Sequence, residues 1–279
     1  MTLGLKIDEI SYWSEIKLDI LKDYAREYNK IICKKKLQPI YIDGFAGAGR
    51  HKAKGSDRMI AGSPQHALDV QPPFVSLHFV DTNTARIQEL TRLAKGRKNV
   101  YVHHGDCNEI LIKDVFPSVR YDQYQRALCI LDPYGLDLDW KVIQAAADTK
   151  AIEIFLNFPV MDMQMNAFWR NYEKVLPSSR ERMTRFWGDE TWEDAAYQTS
   201  SGLFEPMKEK TDIEVVVEAF RMRLKKIAGF QHVPKPIPMR NSKGAIVYYL
   251  FFATHKPVAN TIVSWIFNKY KTYGSVDHV

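Results

Sequence analysis

Apolar residues recur at three- and four-residue spacing from Trp13 through Ile16, Ile20, Leu21, Tyr24, Tyr28, Ile31 and Ile32, with polar residues between them. This spacing predicts an amphipathic first helix. After Pro39 the pattern changes to a short apolar run, Ile40 to Ile42, closed by Asp43 and a glycine-rich stretch, as when a buried strand runs into a turn. From there helices and strands alternate. Helices are predicted over 63–70, 84–94, 108–114 and 140–147, and strands over 75–80, 99–103, 127–131 and 152–158. Five strands separated by helices imply parallel crossovers and a doubly wound sheet.

From Val160 to about Asp212 the alternation gives way to a stretch rich in methionine and aromatic residues, among them Met161, Met163, Met165, Trp169, Trp187 and Trp192, which reads as a helical insertion over 160–212. The alternation then resumes with an amphipathic helix over 213–228, strands near 236–239 and over 245–254, and a last helix over 259–270. The link around Asn241 and Gly244 is too short for a crossover helix, so the last two strands pair antiparallel. A chain of 279 residues fits one domain carrying such an insertion. Five parallel strands followed by an antiparallel edge hairpin is the order found in class I methyltransferases. The expected fold is therefore α/β and Rossmann-like: a mostly parallel seven-stranded sheet, an antiparallel edge hairpin, and the insertion after the fifth strand.

With 46% apolar and 26% charged residues the chain falls in the ordinary soluble globular class, which excludes collagen, coiled coil and disorder. The longest apolar run, Ala245 to Ala253, is nine residues and too short for a bilayer, and Lys6, Asp8 and Glu9 interrupt any apolar signal core, so a cytoplasmic protein without membrane contact is expected. Cys33, Cys107 and Cys129 are scattered and lack paired spacing; neither a disulfide framework nor a zinc site follows. His103 and His104 lack a third ligand, so no metal is expected. The net charge of +6 is uneven, with twelve Lys and Arg against eight Asp and Glu in residues 1–60. Basic loops at 50–58 and 95–98 make nucleic acid a candidate partner, against the ordinary alternative of a solvated surface.

The candidate chemistry sits at predicted strand ends. In Asp43-Gly44-Phe45-Ala46-Gly47-Ala48-Gly49 a carboxylate enters a glycine turn, but the third glycine of a dinucleotide fingerprint would fall on Lys52. What remains resembles the DxFxGxG motif of S-adenosylmethionine-dependent methyltransferases. By that resemblance Gly44, Phe45, Ala46, Gly47 and Gly49 pass under the methionine part of the cofactor, and Asp43 contacts its amino group. An ordinary tight turn is the alternative. Asp81 ends the second strand, where a carboxylate accepts both ribose hydroxyls, or where Asp81 or Asn83 caps the next helix. Asp106, after Gly105, stands where related enzymes hold the adenine amino group, with the amide of Cys107 facing the ring; a Gly-Asp turn reads the same.

Asp132-Pro133-Tyr134 resembles the catalytic [DNS]PP[YFW] motif of amino-group methyltransferases but lacks its second proline. Asp132 fits the residue that accepts a hydrogen bond from the target nitrogen. Tyr134, the base-stacking candidate, comes one position early. Asn157, at the end of the fifth strand, would line the acceptor pocket. Lys17 or Trp13 would touch the cofactor if the first helix folds back across it, and otherwise that helix only packs.

Trp13-Ser14-Glu15-Ile16-Lys17-Leu18, Tyr41 through Arg50, Gly62-Ser63-Pro64, Leu131 through Gly135 and Asn157 through Met161, in this order, resemble the bacterial three-Cys-motif partner protein family. That family is named for a genomic neighbour bearing three cysteines, so the three cysteines here are coincidental. The resemblance implies a methyltransferase-like fold and a three-Cys-motif protein encoded nearby, and leaves the substrate open. The expected activity is methyl transfer from S-adenosylmethionine to an amino nitrogen of a nucleic-acid base. A peptide or small-molecule acceptor, or a non-catalytic subunit of the same fold, are the alternatives.

Overall fold

A computed structural model describes residues 8–200 and 207–273. The first half holds β1 (Glu9–Ile10), α1 (Tyr12–Lys34), β2 (Gln38–Asp43), β3 (Arg50–Ala53), β4 (Met59–Ala61), α2 (Ser63–Leu68), β5 (Ser76–Asp81), α3 (Thr84–Leu93), β6 (Val100–His104), α4 (Cys107–Ile110) and β7 (Gln125–Leu131). There follow α5 (Trp140–Asp148), β8 (Ile152–Phe158), α6 (Val160–Asn166), α7 (Pro177–Trp187), α8 (Trp192–Ala196) and the strands β9 (Tyr197–Ser200) and β10 (Met207–Lys210). The chain closes with α9 (Ile213–Lys226), β11 (Ile237–Arg240), β12 (Ile246–Ala253) and α10 (Pro257–Tyr273).

Seven strands form one sheet in the order β11-β12-β8-β7-β2-β5-β6. The five from β8 to β6 are parallel, whereas β12 runs antiparallel to β8 and β11 antiparallel to β12. Strands covered on both faces need apolar side chains throughout, and Ala127 to Leu131 in β7 are all buried. One face packs on α5, α7 and α9, where Phe220 meets Trp140, Phe158, Phe186 and Trp187. The other packs on α1 and α10, where Tyr24 meets Phe155 and Phe252. Fully burying a side chain of this size contributes about 1.5–3 kcal/mol.

Two departures from the sequence reading have one cause. The segment 50–58 is only partly a basic loop: Arg50–Ala53 form β3, which pairs with β4 antiparallel and with β1 parallel in a small sheet beside the main one, and 54–58 make the turn between β3 and β4. Its cations at Arg50, Lys52 and Lys54 occupy alternate positions, a strand period read by charge alone as a cluster. The insertion is likewise not wholly helical, because after α6, α7 and α8 it forms an antiparallel pair of β9 and β10. Residues 201–206 lie outside the described residues. Within the insertion Phe168, Phe186, Trp187 and Trp192 are buried and continuous with the main core, while Met165 and Trp169 stay exposed.

A buried acid in β8 sets a pH dependence. Glu153 Oε2 accepts from the Tyr24 hydroxyl at 2.6 Å and Oε1 from the Thr254 hydroxyl at 3.0 Å. Burial pushes its carboxyl up to about 7, against the opposing pull of those two hydrogen bonds. The folded protein thus binds a proton that the unfolded chain, with a carboxyl near 4.5, has released. That stabilisation is full below about pH 4.5 and is lost as pH rises through about 7. Chemical denaturation is expected to show Glu153→Gln losing ~3 kcal/mol less than the parent between pH 5 and 8. Parallel losses would clear Glu153 of this role.

Candidate active site

The carboxyl ends of the parallel strands open into a cavity of about 820 Å3, bordered by Trp13, Lys17, Gly47, His51, Asp132 and Asn157. A smaller cavity of about 340 Å3 lies beside it, bordered by Asp81, Asp106 and Cys107. Phe45 and Tyr134 border both. Ligands in doubly wound sheets lie at this edge, where strand order reverses about the first strand, here β2.

Asp43, the last residue of β2, is 1% exposed. Its Oδ1 accepts from the Phe45 amide at 3.3 Å, and its Oδ2 is buried with no hydrogen-bond partner. Burial pushes the carboxyl up to about 7, opposed by the nearby Ser63 hydroxyl and the Phe45 amide. An orphaned acceptor of this kind fits an incoming ammonium. The backbone then turns with Gly47 at φ +64°, where a Cβ would meet nothing within 4 Å and would project into open space. The two observations together make this turn compatible with an amino-acid moiety lying against it. Gly49 serves differently: it borders neither of these cavities, and a Cβ there would press on Leu93 at 3.0 Å. Its role is close packing of the turn. Gly44 faces Leu111 and Leu131 and borders the smaller cavity, while Ala46 borders the larger.

Lys17 reaches across the sheet edge from α1. Its Nζ donates to Asp132 Oδ2, and Asn157 Nδ2 donates to Asp132 Oδ1 at 2.8 Å. Lys17 therefore binds the residue expected at the acceptor as well as bordering the cavity, and its ammonium also lies over the Tyr248 ring at 5.3 Å. Each Asp132 oxygen thus accepts one hydrogen bond and keeps capacity for another, while Asn157 Oδ1 is buried and without a partner. His51 has a buried Nδ1 without a partner, and burial together with the Lys17 charge holds its imidazole below the usual range.

Asp81 accepts from the protein's own backbone through both oxygens. Its Oδ2 accepts from the Gly47 amide at 3.0 Å and its Oδ1 from the Asn83 amide at 2.8 Å, with Arg86 at 3.7 Å. It braces the glycine turn, and Asn83 is the cap of α3, accepting from the amides of Ala85 and Arg86. Asp106 caps α4 by accepting from the Asn108 amide at 2.9 Å, while Cys107 behind it is buried. Tyr134 is exposed, with the Arg86 guanidinium 5.2 Å from its ring centre. Arg86 also holds Asp8 at 2.7 Å, fastening the segment before β1 across the site.

The structure thus gathers Lys17, Phe45, Ala46, Gly47, Asp132, Tyr134 and Asn157 around the larger cavity and Gly44, Phe45, Asp81, Asp106, Cys107 and Tyr134 around the smaller one, while Asp43 is buried at the start of the turn and borders neither. Three of four cations in 50–58 face carboxylates, as Arg50–Glu89, Lys52–Asp57 and Arg58–Glu15. The loop 95–98 leads into β6 and so lies at the amino ends of the strands, away from both cavities. Sequence reasoning missed His51, Arg86, Ser63 and Tyr248. The strand alternation of Arg50-His51-Lys52-Ala53 could have placed His51 inward; Ser63 stood in the Gly62-Ser63-Pro64 segment without a role, and nothing local marks Arg86 or Tyr248.

No family model matches the sequence, and no curated protein does. Among solved structures the chain is similar to protein LPL1258 from Legionella pneumophila strain Philadelphia 1, at 11% identity over 92% of each chain with a TM-score of 0.54. It is also similar to Aeropyrum pernix fibrillarin, solved with natively bound S-adenosyl-L-methionine (7% identity, 78% of this chain and 66% of that one, TM-score 0.35). A third is the N-methyltransferase NodS from Bradyrhizobium japonicum WM9 (12% identity, 84% and 97%, TM-score 0.30). Strand order and structural likeness define a Rossmann-like class I methyltransferase fold. No helix among the described residues is long and apolar enough to cross a membrane.

Proposed function

We propose that the protein is a methyltransferase that binds S-adenosylmethionine at the glycine turn after β2 and methylates an amino nitrogen of a nucleic-acid base. The observation that carries this reading is the buried, unpartnered Asp43 Oδ2 beside the open turn at Gly47. When bound, the sulfonium supplies an activated methyl group with a neutral thioether as leaving group. Asp43 receives the ammonium of the methionine moiety, and Gly47 leaves room for its chain. Asp106 and Cys107 border the cavity assigned to the adenosine end, while Asp81 keeps the turn in shape. Asn157 Oδ1 accepts a hydrogen bond from the acceptor amine, and Asp132 with Lys17 holds the Asn157 amide in place. Such transfer needs little acid–base help, since alignment and exclusion of water supply most of the rate.

Incubation with radiolabelled cofactor and, in parallel, duplex DNA, single-stranded DNA and RNA tests the acceptor. Label is expected in at least one nucleic acid, and its absence from all three refutes the base as target. The pairing of three cations in 50–58 with carboxylates favours a second reading, a peptide or small-molecule acceptor. A phosphate-dominated interface loses affinity steeply with salt, so weak, salt-insensitive nucleic-acid binding supports that second reading. The motif resemblance adds a three-Cys-motif protein encoded nearby as the partner to co-purify in either case.

A further inference from the structure

A second cleft lies at the amino ends of β7 and β8, at the opposite edge of the sheet from the candidate active site, between α1 and α10. It offers about 70 Å3 of room, enough for a few waters, and opens to solvent. Ile31 and Ile32 of α1 face Val258 and Ile262 of α10 across it. Tyr28, 4% exposed, borders the cleft, and its hydroxyl is buried with no hydrogen-bond partner. Buried hydroxyls left unpaired are unfavourable and rare, so this one marks a place where something polar is received.

The mouth is cationic. Lys35, Arg126, Lys150 and Lys256 all border the cleft, and among the described residues neither Lys35 nor Lys150 forms an ion pair. Arg126 is held in place by its stacking on Tyr121 at 3.6 Å and its bond to the Tyr121 carbonyl at 3.2 Å, and Lys256 is within 3.4 Å of the Tyr121 hydroxyl. The one acid in the cleft, Glu153, is engaged by Tyr24 and Thr254. Water alone would satisfy Tyr28 but leaves four cations bordering an apolar wall with no anion to face. A cationic ligand would be repelled by that mouth, and an inorganic anion would make no use of the aliphatic walls.

We propose that this cleft binds a small apolar acid, its carboxylate received by the Tyr28 hydroxyl and the ring of cations, and its hydrocarbon body lying between α1 and α10. The site is separate from the methyltransferase reading and does not depend on it.

Calorimetric titration of the full chain with hexanoate tests the assignment, with hexanol, hexylamine and inorganic phosphate titrated in parallel. Hexanoate is expected to bind with one-to-one stoichiometry at least about tenfold more tightly than any of the three. Tyr28→Phe is expected to weaken hexanoate about fivefold to tenfold. The surface double variant Lys35→Glu, Lys150→Glu is expected to remove binding, with an unchanged near-ultraviolet dichroism spectrum reporting an intact fold. Four results overturn the proposal: no saturable hexanoate binding, hexanol binding as well as hexanoate, phosphate binding as well as hexanoate, or a folded double variant that binds like the parent. Should Tyr28→Phe fail to fold, the double variant decides alone.

Discussion

Asp43→Asn is expected to weaken S-adenosylhomocysteine binding at pH 7.5 by about a hundredfold or more, the loss that follows when a buried ammonium has no carboxylate to face. The variant itself should fold, because the parent carboxyl is raised to about 7 chiefly by burial and an amide there avoids that penalty. The same carboxyl dictates the pH profile. Below about pH 7 the free protein carries a proton on Asp43 that must leave before an ammonium is received, so affinity falls about tenfold per pH unit. At higher pH the α-amino group of the ligand loses its own proton and affinity falls again. Parent affinity should therefore rise to its maximum above about pH 7, and the acid limb should vanish in Asp43→Asn. Calorimetry across pH 5.5 to 9 measures both, and tight binding by the variant with a matching acid limb removes Asp43 from the site.

Asp132→Ala is expected to cost about 2–3 kcal/mol of stability, somewhat less than the 3–5 typical of a fully buried pair because the Asp132 side chain keeps about a third of its exposure. The physical cause is Lys17. At 8% exposure its ammonium has Asp132 as its carboxylate partner, and truncation leaves that charge desolvated and alone. Asn157 loses the acceptor for its Nδ2 as well. The double variant Lys17→Met, Asp132→Leu removes both charges and should recover most of the loss, since an apolar pair in place of a buried ion pair is often neutral or better. Any activity lost by Asp132→Ala must therefore be compared with Asp132→Asn, which keeps the shape. Denaturant titration of Lys17→Met, Asp132→Leu and the double variant tests the coupling, and additive losses overturn it.

The helices and strands of the parallel sheet could be read locally because each carries its own period. The run Ile40 to Ile42, the closing Asp43 and the glycines after it announce a buried strand entering a turn without help from elsewhere. The same applies to the edge hairpin, whose short link around Asn241 and Gly244 permits only antiparallel pairing. Segment 50–58 was misread because charge, the louder signal, masked a two-residue period that gains meaning only when β1 arrives to pair with β3. The β9–β10 pair was missed for a similar reason, since Gln198, Lys208 and Glu209 provide no apolar alternation to count.

By itself the sequence determined the strands of the main sheet, their parallel run with an antiparallel hairpin, and the set of carboxylates delivered to strand ends, since those depend on periodicity and chain connectivity. Only the tertiary structure decided what each carboxylate does. Asp43, Asp81 and Asp132 look alike in the chain, yet one is left with an orphaned oxygen, one accepts from the amides of Gly47 and Asn83, and one is tied to Lys17, 115 residues away. Hydrogen-bond capacity is allotted by distant neighbours brought within about 3 Å, and no local pattern carries that information.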